Sequence, residues 1–254
     1  MHIGFFDSGI GGLSVLKEAL QVLPSEDYLY FADVMNVPYG VKPREEVRKY
    51  ILDAAAFIAG KGVKALVVAC NTATVVAIND LRRKYDFPII GMEPAVKPAV
   101  ERSKGKRVLV TATSLALKQE KFLNLLARVD GEDIVDLLPL PGLVEYAEDF
   151  VFEEDTILSY LRSELAPFDM SQYGTVVLGC THFPLYRREF KKVLPDHVDI
   201  IDGSEGTVRH LKNILVEKGL MEPKKTGGSI TFYSSGKFET DSYRLENYKI
   251  LLKR

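Results

Sequence analysis

Cys70 and Cys180 are the only two cysteines in a chain of 254 residues, and they stand in matching surroundings. Leu66-Val67-Val68-Ala69-Cys70-Asn71-Thr72 parallels Val176-Val177-Leu178-Gly179-Cys180-Thr181-His182, 110 residues further on. Each copy is an apolar run, a small residue, the cysteine, then polar residues. A lone cysteine is more often a small buried hydrophobe than a reactive group. A thiol at a strand end, beside amide and hydroxyl groups, is placed differently, because helix N-termini and nearby donors favour the thiolate. Two thiols are too few for a disulfide scaffold, and no Cys-x-x-Cys is present. Cys70, Cys180 and His182 would make only an incomplete zinc site, so no metal is expected. His182 either tunes Cys180 or is a satisfied structural histidine.

Two further stretches carry chemical potential. Asp7-Ser8-Gly9-Ile10-Gly11-Gly12 follows the first apolar run. A Gly-rich turn entering a helix offers N–H groups to an anion; a tight turn with no ligand reads equally well. It is neither a Walker loop nor a dinucleotide fingerprint, so a small carboxylate or phosphate suits it better than a nucleotide. Asp33 with Pro38-Tyr39-Gly40 reads first as a structural turn.

The elements that must position these residues alternate along the chain. Apolar, β-branched runs at 2–6, 28–31, 65–69, 88–91, 107–110, 134–138, 175–178, 198–201 and 229–233 read as buried strands. Segments 44–59, 120–129, 156–165 and 208–216 carry apolar residues at helical spacing. Such alternation predicts an α/β fold with mostly parallel sheets, and ligands there sit at the carboxyl ends of strands. The cysteine repeat predicts two similar halves, each presenting one thiol. Composition places boundaries near 97–106, where Pro, Lys and Gly cluster, and near 202–205.

Composition narrows the function. Hydrophobic residues make up 46% and charged residues 27%, the balance of a globular protein with a sizeable core. The formal net charge of −2 gives no basic field for nucleic acid. Apolar runs are too short to cross a bilayer, and the N-terminus reads as a strand rather than a signal peptide. A cytoplasmic protein with reduced thiols is expected, with a small-molecule partner; a homodimer is left open.

Taken together, Asp7-Ser8-Gly9-Ile10-Gly11-Gly12, Pro38-Tyr39-Gly40, Cys70-Asn71-Thr72-Ala73 and Gly179-Cys180-Thr181-His182-Phe183-Pro184 resemble the motifs of glutamate racemases, in the aspartate/glutamate racemase superfamily. The order and spacing match along nearly the whole chain. The stretch from Ile201-Asp202-Gly203 to Phe232-Tyr233-Ser234-Ser235-Gly236 also resembles that family's C-terminal region. The resemblance implies two α/β domains related by a pseudo-twofold axis, with the active site between them. It puts residues 1–97 plus 207–254 in the first and 98–206 in the second. It implies glutamate between Cys70 and Cys180 as the two acid/base residues. Asp7, Glu145 and His182 fall where assisting acid/base groups stand. Asp7, Ser8, Pro38, Tyr39, Gly40, Asn71, Thr72, Thr113, Thr181 and His182 become the substrate-binding set. No cofactor is implied, and the family supplies D-glutamate for peptidoglycan. Two departures stand out: Ala116 occupies the second position of a Thr-x-x-Thr pattern beginning at Thr113, and Gly142 replaces a proline before Leu143-Val144-Glu145.

Racemisation explains why two thiols are needed. A proton must leave one face of the α-carbon and another must arrive on the opposite face, with one sulfur as thiolate and the other as thiol. An ordinary thiol, near pKa 8.5, is only slightly ionised at neutral pH, so the site must stabilise one thiolate. Three other readings compete: a racemase for aspartate or a related diacid, a non-catalytic carboxylate-binding protein, and a thiol–disulfide enzyme. The binding protein would need no cysteine pair. The last is disfavoured by the missing Cys-x-x-Cys.

Overall fold

Near-continuous apolar runs separated by amphipathic segments build two parallel sheets in the computed structural model, which describes residues 1–92, 95–103, 105–129, 133–223 and 227–253. The strands in chain order are β1 (Ile3–Asp7), β2 (Tyr28–Ala32), β3 (Ala65–Val68), β4 (Ile89–Gly91), β5 (Arg107–Ala112), β6 (Val135–Pro139), β7 (Tyr173–Leu178), β8 (Asp199–Asp202), β9 (Ile230–Ser234) and β10 (Lys237–Phe238). The helices are α1 (Leu13–Val22), α2 (Arg44–Ala59), α3 (Asn71–Lys84), α4 (Val96–Arg102), α5 (Ser114–Leu117), α6 (Glu120–Val129), α7 (Pro141–Glu148), α8 (Glu154–Leu165), α9 (Arg187–Val193), α10 (Ser204–Glu217) and α11 (Ser242–Lys253). All nine expected strands form, within one or two residues at their ends. Only β10 has no counterpart in the sequence reading; it is a two-residue strand in a hairpin with β9.

The first sheet has the order β10-β9-β2-β1-β3-β4 and the second β6-β5-β7-β8. Every pairing is parallel except β9 with β10. Remove the C-terminal hairpin and the two sheets share one order: second, first, third, fourth strand of each half. The sequence repeat therefore marks equivalent strands, β3 and β7. In such sheets the crevice opens beside the first strand, where the winding reverses, at the carboxyl ends. Both cysteines sit there.

Burial explains the sequence pattern. Every residue of β1, β2 and β3 is buried, as parallel strands covered on both faces require. Val47, Ile51 and Ile58 of α2 and Ala73, Ile78 and Leu81 of α3 pack with Phe6, Leu66 and Val68 on one face. A second cluster is continuous from Ile3, Phe5 and Leu16 to Leu140, Leu178 and Phe183, and so joins the two halves. Each such side chain contributes about 1.5–3 kcal/mol by leaving water. The chain returns to the first half at its end: β9 pairs with β2, and α10 and α11 lie on α1. Helix α4 packs on β5 and β7, so it belongs with the second sheet.

Candidate active site

The first half presents Cys70 at the end of β3. Its backbone is extended (φ −138°, ψ 120°) and caps α3, with Sγ accepting the Ala73 N–H at 3.4 Å. The Ser8 hydroxyl lies 3.8 Å from the same sulfur. Asp7, the last residue of β1, is fully buried. Its Oδ1 accepts from the Ser8 hydroxyl and the Gly9 N–H, both at 3.0 Å. Burial pushes the Asp7 carboxyl up to about 6, against the lowering effects of His182, Thr181 and Gly9. Burial likewise drives the Cys70 thiol well above its ordinary value, and the Asp7 carboxylate and Cys180 drive it further; the Ala73 N–H and Ser8 oppose this. Cys70 is thereby a protonated thiol in the free protein.

The second half presents Cys180 after β7, in a different setting. His182 Nδ1 stands 3.6 Å from Cys180 Sγ, and His182 Nε2 stands 2.6 Å from Glu148 Oε1 at the end of α7. The ring is 2% exposed. Burial works against its charge, but the hydrogen bonds to Cys180 and Glu148 prevail and hold it well above the ordinary histidine range. An imidazolium between a sulfur and a carboxylate favours a negative sulfur.

Contacts between the halves close the site on two sides. On one, Thr181 Oγ1 donates to Asp7 Oδ2 at 2.8 Å, the Ile10 N–H to Glu148 Oε1 at 2.8 Å, and the Ser14 hydroxyl to the Thr181 carbonyl at 3.0 Å. The Gly-rich turn thus directs the Gly9 and Ile10 N–H groups at the carboxylates of Asp7 and Glu148. Only glycine fits at position 11, where a Cβ would lie 2.5 Å from His182 Nδ1 and 2.7 Å from Thr181 Oγ1. On the other side the Thr72 and Thr113 hydroxyls bond each other at 2.9 Å. A cavity of about 20 Å³ there is lined by Pro38, Gly40, Val41, Thr113, Ser114, Pro141, Val144 and Glu145. That is room for about one water. A larger cavity, about 1130 Å³, is lined by residues such as Lys17, Arg102, Arg187 and His210, and neither cysteine lines it. Its size does not outweigh the chemistry gathered around the thiols.

Most residues singled out from the sequence converge here. Asp7, Ser8, Cys70, Thr72, Thr113, Cys180, Thr181 and His182 are all buried and joined by the contacts above. Tyr39 and Gly40 are buried in the turn facing Thr113, with Pro38 beside them; Asn71 opens α3 and is half-buried. Glu145 differs. It is exposed, lines the small cavity, and is not the carboxylate that holds His182. That carboxylate is Glu148, one helical turn later, which sequence reasoning missed. The signal was present in the phase of α7: Leu143, Val144 and Ala147 form the buried stripe. At about 100° per residue Glu148 borders that stripe, while Glu145 lies behind it.

The fold and site define a class: a twin α/β protein with one buried thiol from each half, the two joined through Ser8, Asp7, Thr181 and His182. A family model described as Asp/Glu/Hydantoin racemase matches residues 12–211, and the chain belongs to that family. Glutamate racemase of Halothermothrix orenii is 60% identical over 253 residues, covering 100% of this chain and 99% of that protein. Glutamate racemase 2 of Bacillus subtilis is 55% identical over 253 residues, covering 99% and 95%. The crystal structure of glutamate racemase from Francisella tularensis in complex with D-glutamate matches with a TM-score of 0.84 at 26% identity, over 100% of this chain and 94% of that one.

Proposed function

We propose that this protein interconverts L- and D-glutamate without a cofactor, using Cys70 and Cys180 as the two acid/base groups. The observation that carries the reading is the pair of buried thiols at equivalent strand ends, β3 and β7, of two halves with one topology. Cys70 takes the α-proton of D-glutamate while Cys180 delivers one to the opposite face; the reverse direction exchanges their roles. His182, held by Glu148, supports the thiolate form of Cys180. Among the described residues no such cation is hydrogen-bonded to Cys70, and the substrate's own ammonium supplies positive charge next to Asp7. Ser8, the Pro38–Gly40 turn, Asn71, Thr72, Thr113 and Thr181 bind the carboxylates and the amino group. Closure of the halves excludes water and strengthens these fields around the developing carbanion.

The reading extends to the domain limits, 1–97 plus 207–254 and 98–206, and to a role in the cytoplasm supplying D-glutamate for peptidoglycan and hence cell shape. No helix among the described residues is long and apolar enough to cross a membrane, in keeping with that setting. The test is to incubate the purified protein with each enantiomer of glutamate and aspartate and follow both by chiral chromatography. Racemised glutamate with aspartate left intact is the expected result. Turnover of aspartate alone, or of neither, contradicts the reading.

A further inference from the structure

One buried carboxylate near the cleft has no part in the proton transfers. Asp33 is 4% exposed and follows β2 at the carboxyl edge of the first sheet. Its Oδ2 accepts from the Tyr39 hydroxyl at 2.6 Å and from Asn36 Nδ2 at 2.9 Å. Its Oδ1 accepts from Asn36 Nδ2 at 3.0 Å and from the Ser235 hydroxyl at 2.9 Å. Ser235 Oγ in turn accepts the Met35 N–H at 3.0 Å. One carboxylate therefore ties together the loop after β2, the Pro38–Gly40 turn and the tip of the C-terminal hairpin.

The two ends of this network are placed with care. Ser235 and Gly236 form the two-residue turn between paired Ser234 and Lys237, with φ of 44° and 84°. Such turns favour Asn or Gly; here the first position keeps a serine, and its hydroxyl is the group that reaches Asp33. At the other end, Tyr39 is 1% exposed, its ring stacked 6.1 Å from Tyr50 and tilted 6.4 Å from Phe6. Burial and then the Asp33 carboxylate hold its hydroxyl protonated, far above the ordinary tyrosine range. That hydroxyl is committed to Asp33. Gly40, next in the chain, meets the second half so closely that a Cβ would fall 2.6 Å from Thr113 Cβ.

We propose that Asp33 is a positioning residue for substrate binding. Through the Tyr39 hydroxyl it fixes the Pro38–Gly40 turn opposite Thr113, with Ser235 as its anchor in the C-terminal hairpin. Tyr39 then serves the substrate through its main chain, and the phenol serves Asp33. A binding group held by a locked neighbour keeps its geometry without reorganising when substrate arrives. This assignment rests on the racemase reading and adds to it a task for the C-terminal hairpin, which carries none of the residues in the first contact set.

The test compares steady-state kinetics on D- and L-glutamate for the full-length wild type, Tyr39→Phe, Asp33→Asn, the double variant and Ser235→Gly. Glycine suits the left-handed backbone at 235 and removes the hydroxymethyl group that reaches Asp33. Tyr39→Phe and Asp33→Asn should each raise KM about five- to twentyfold with kcat within about threefold. The double variant should be no worse than the poorer single one, because both cut the same contact. Ser235→Gly should raise KM about two- to fivefold. Should Asp33→Asn fail to fold, the Tyr39 and Ser235 variants decide the matter alone. Unchanged KM in both of those overturns the proposal, as does a loss confined to kcat or to thermal stability. A wild type unable to racemise glutamate overturns the racemase reading and this one with it. An active wild type with indifferent variants overturns this one alone.

Discussion

The two thiols share a place in the fold and differ in almost everything around it. Cys70 caps α3 beside a hydroxyl, an N–H and the Asp7 carboxylate. Cys180 faces the His182 ring, which Glu148 holds from behind. Topology places the sulfurs; the local side chains give each a different electrostatic setting. The free protein is poised with Cys70 as the thiol and an imidazolium beside Cys180. By the assignment above, that state is ready for L-glutamate. By the same proposal, D-glutamate calls for the opposite arrangement, with Cys70 as the base and Asp7 as its buried carboxyl neighbour.

The comparison can be broken at several points. Replacing either cysteine by alanine removes the acid or base of one face, and racemisation should fall by at least about a thousandfold in both directions. A variant that keeps a tenth of the activity would show that its thiol is dispensable. Gly11→Ala attacks the junction of the halves, since its Cβ would overlap His182 and Thr181. Activity should drop about a hundredfold, as expected when catalytic groups shift by about an ångström. Near-normal turnover would mean that the turn yields without disturbing the histidine.

Glu148→Gln sharpens the contrast rather than destroying it. The His182 ring should lose its charge at lower pH, visible as a downward shift of its titration by NMR, and activity should fall about ten- to a hundredfold. An unmoved histidine titration would leave Glu148 without its role. The same change at Glu145, which is exposed, should leave that titration in place.

The smallest effect concerns Asp7 and stability. Its folded pKa of about 6 lies above the ordinary 3.8, so the folded state holds the proton more tightly than the unfolded chain. The resulting stabilisation is complete below pH 3.8 and is lost as pH rises through 6. Keeping the carboxylate ionised at neutral pH costs about 3 kcal/mol, a cost characteristic of groups retained for function. Wild-type stability should gain between pH 7 and pH 5 relative to Asp7→Asn. Parallel melting curves for the two proteins across that range would contradict this.

Much of this arrangement was legible in the sequence, for physical reasons. Strands buried on both faces write themselves as continuous apolar runs, so β1 to β9 could be read. The repeat around Cys70 and Cys180 survives because equivalent strand ends impose similar demands. Three features were less accessible. Helix α3 is mixed in polarity, with Thr72, Thr74 and Asn79 among its apolar residues, so its period is faint. The choice between Glu145 and Glu148 depends on where α7 starts and how it is rotated, and packing settles that. The Asp33 network joins residues some 200 positions apart, a contact no local pattern can announce.

The central claim is that each thiol serves one face of the substrate, and isotope incorporation tests it directly. The reaction is started in deuterated water with one enantiomer of protiated glutamate and stopped within the first few per cent of conversion. The account predicts product that carries deuterium at the α-carbon while recovered substrate keeps its proton, in both directions, because the sulfur that delivers is not the sulfur that removes. Substrate and product labelled to the same degree from the first turnovers would mean that one base serves both faces, and the two-thiol account would be wrong.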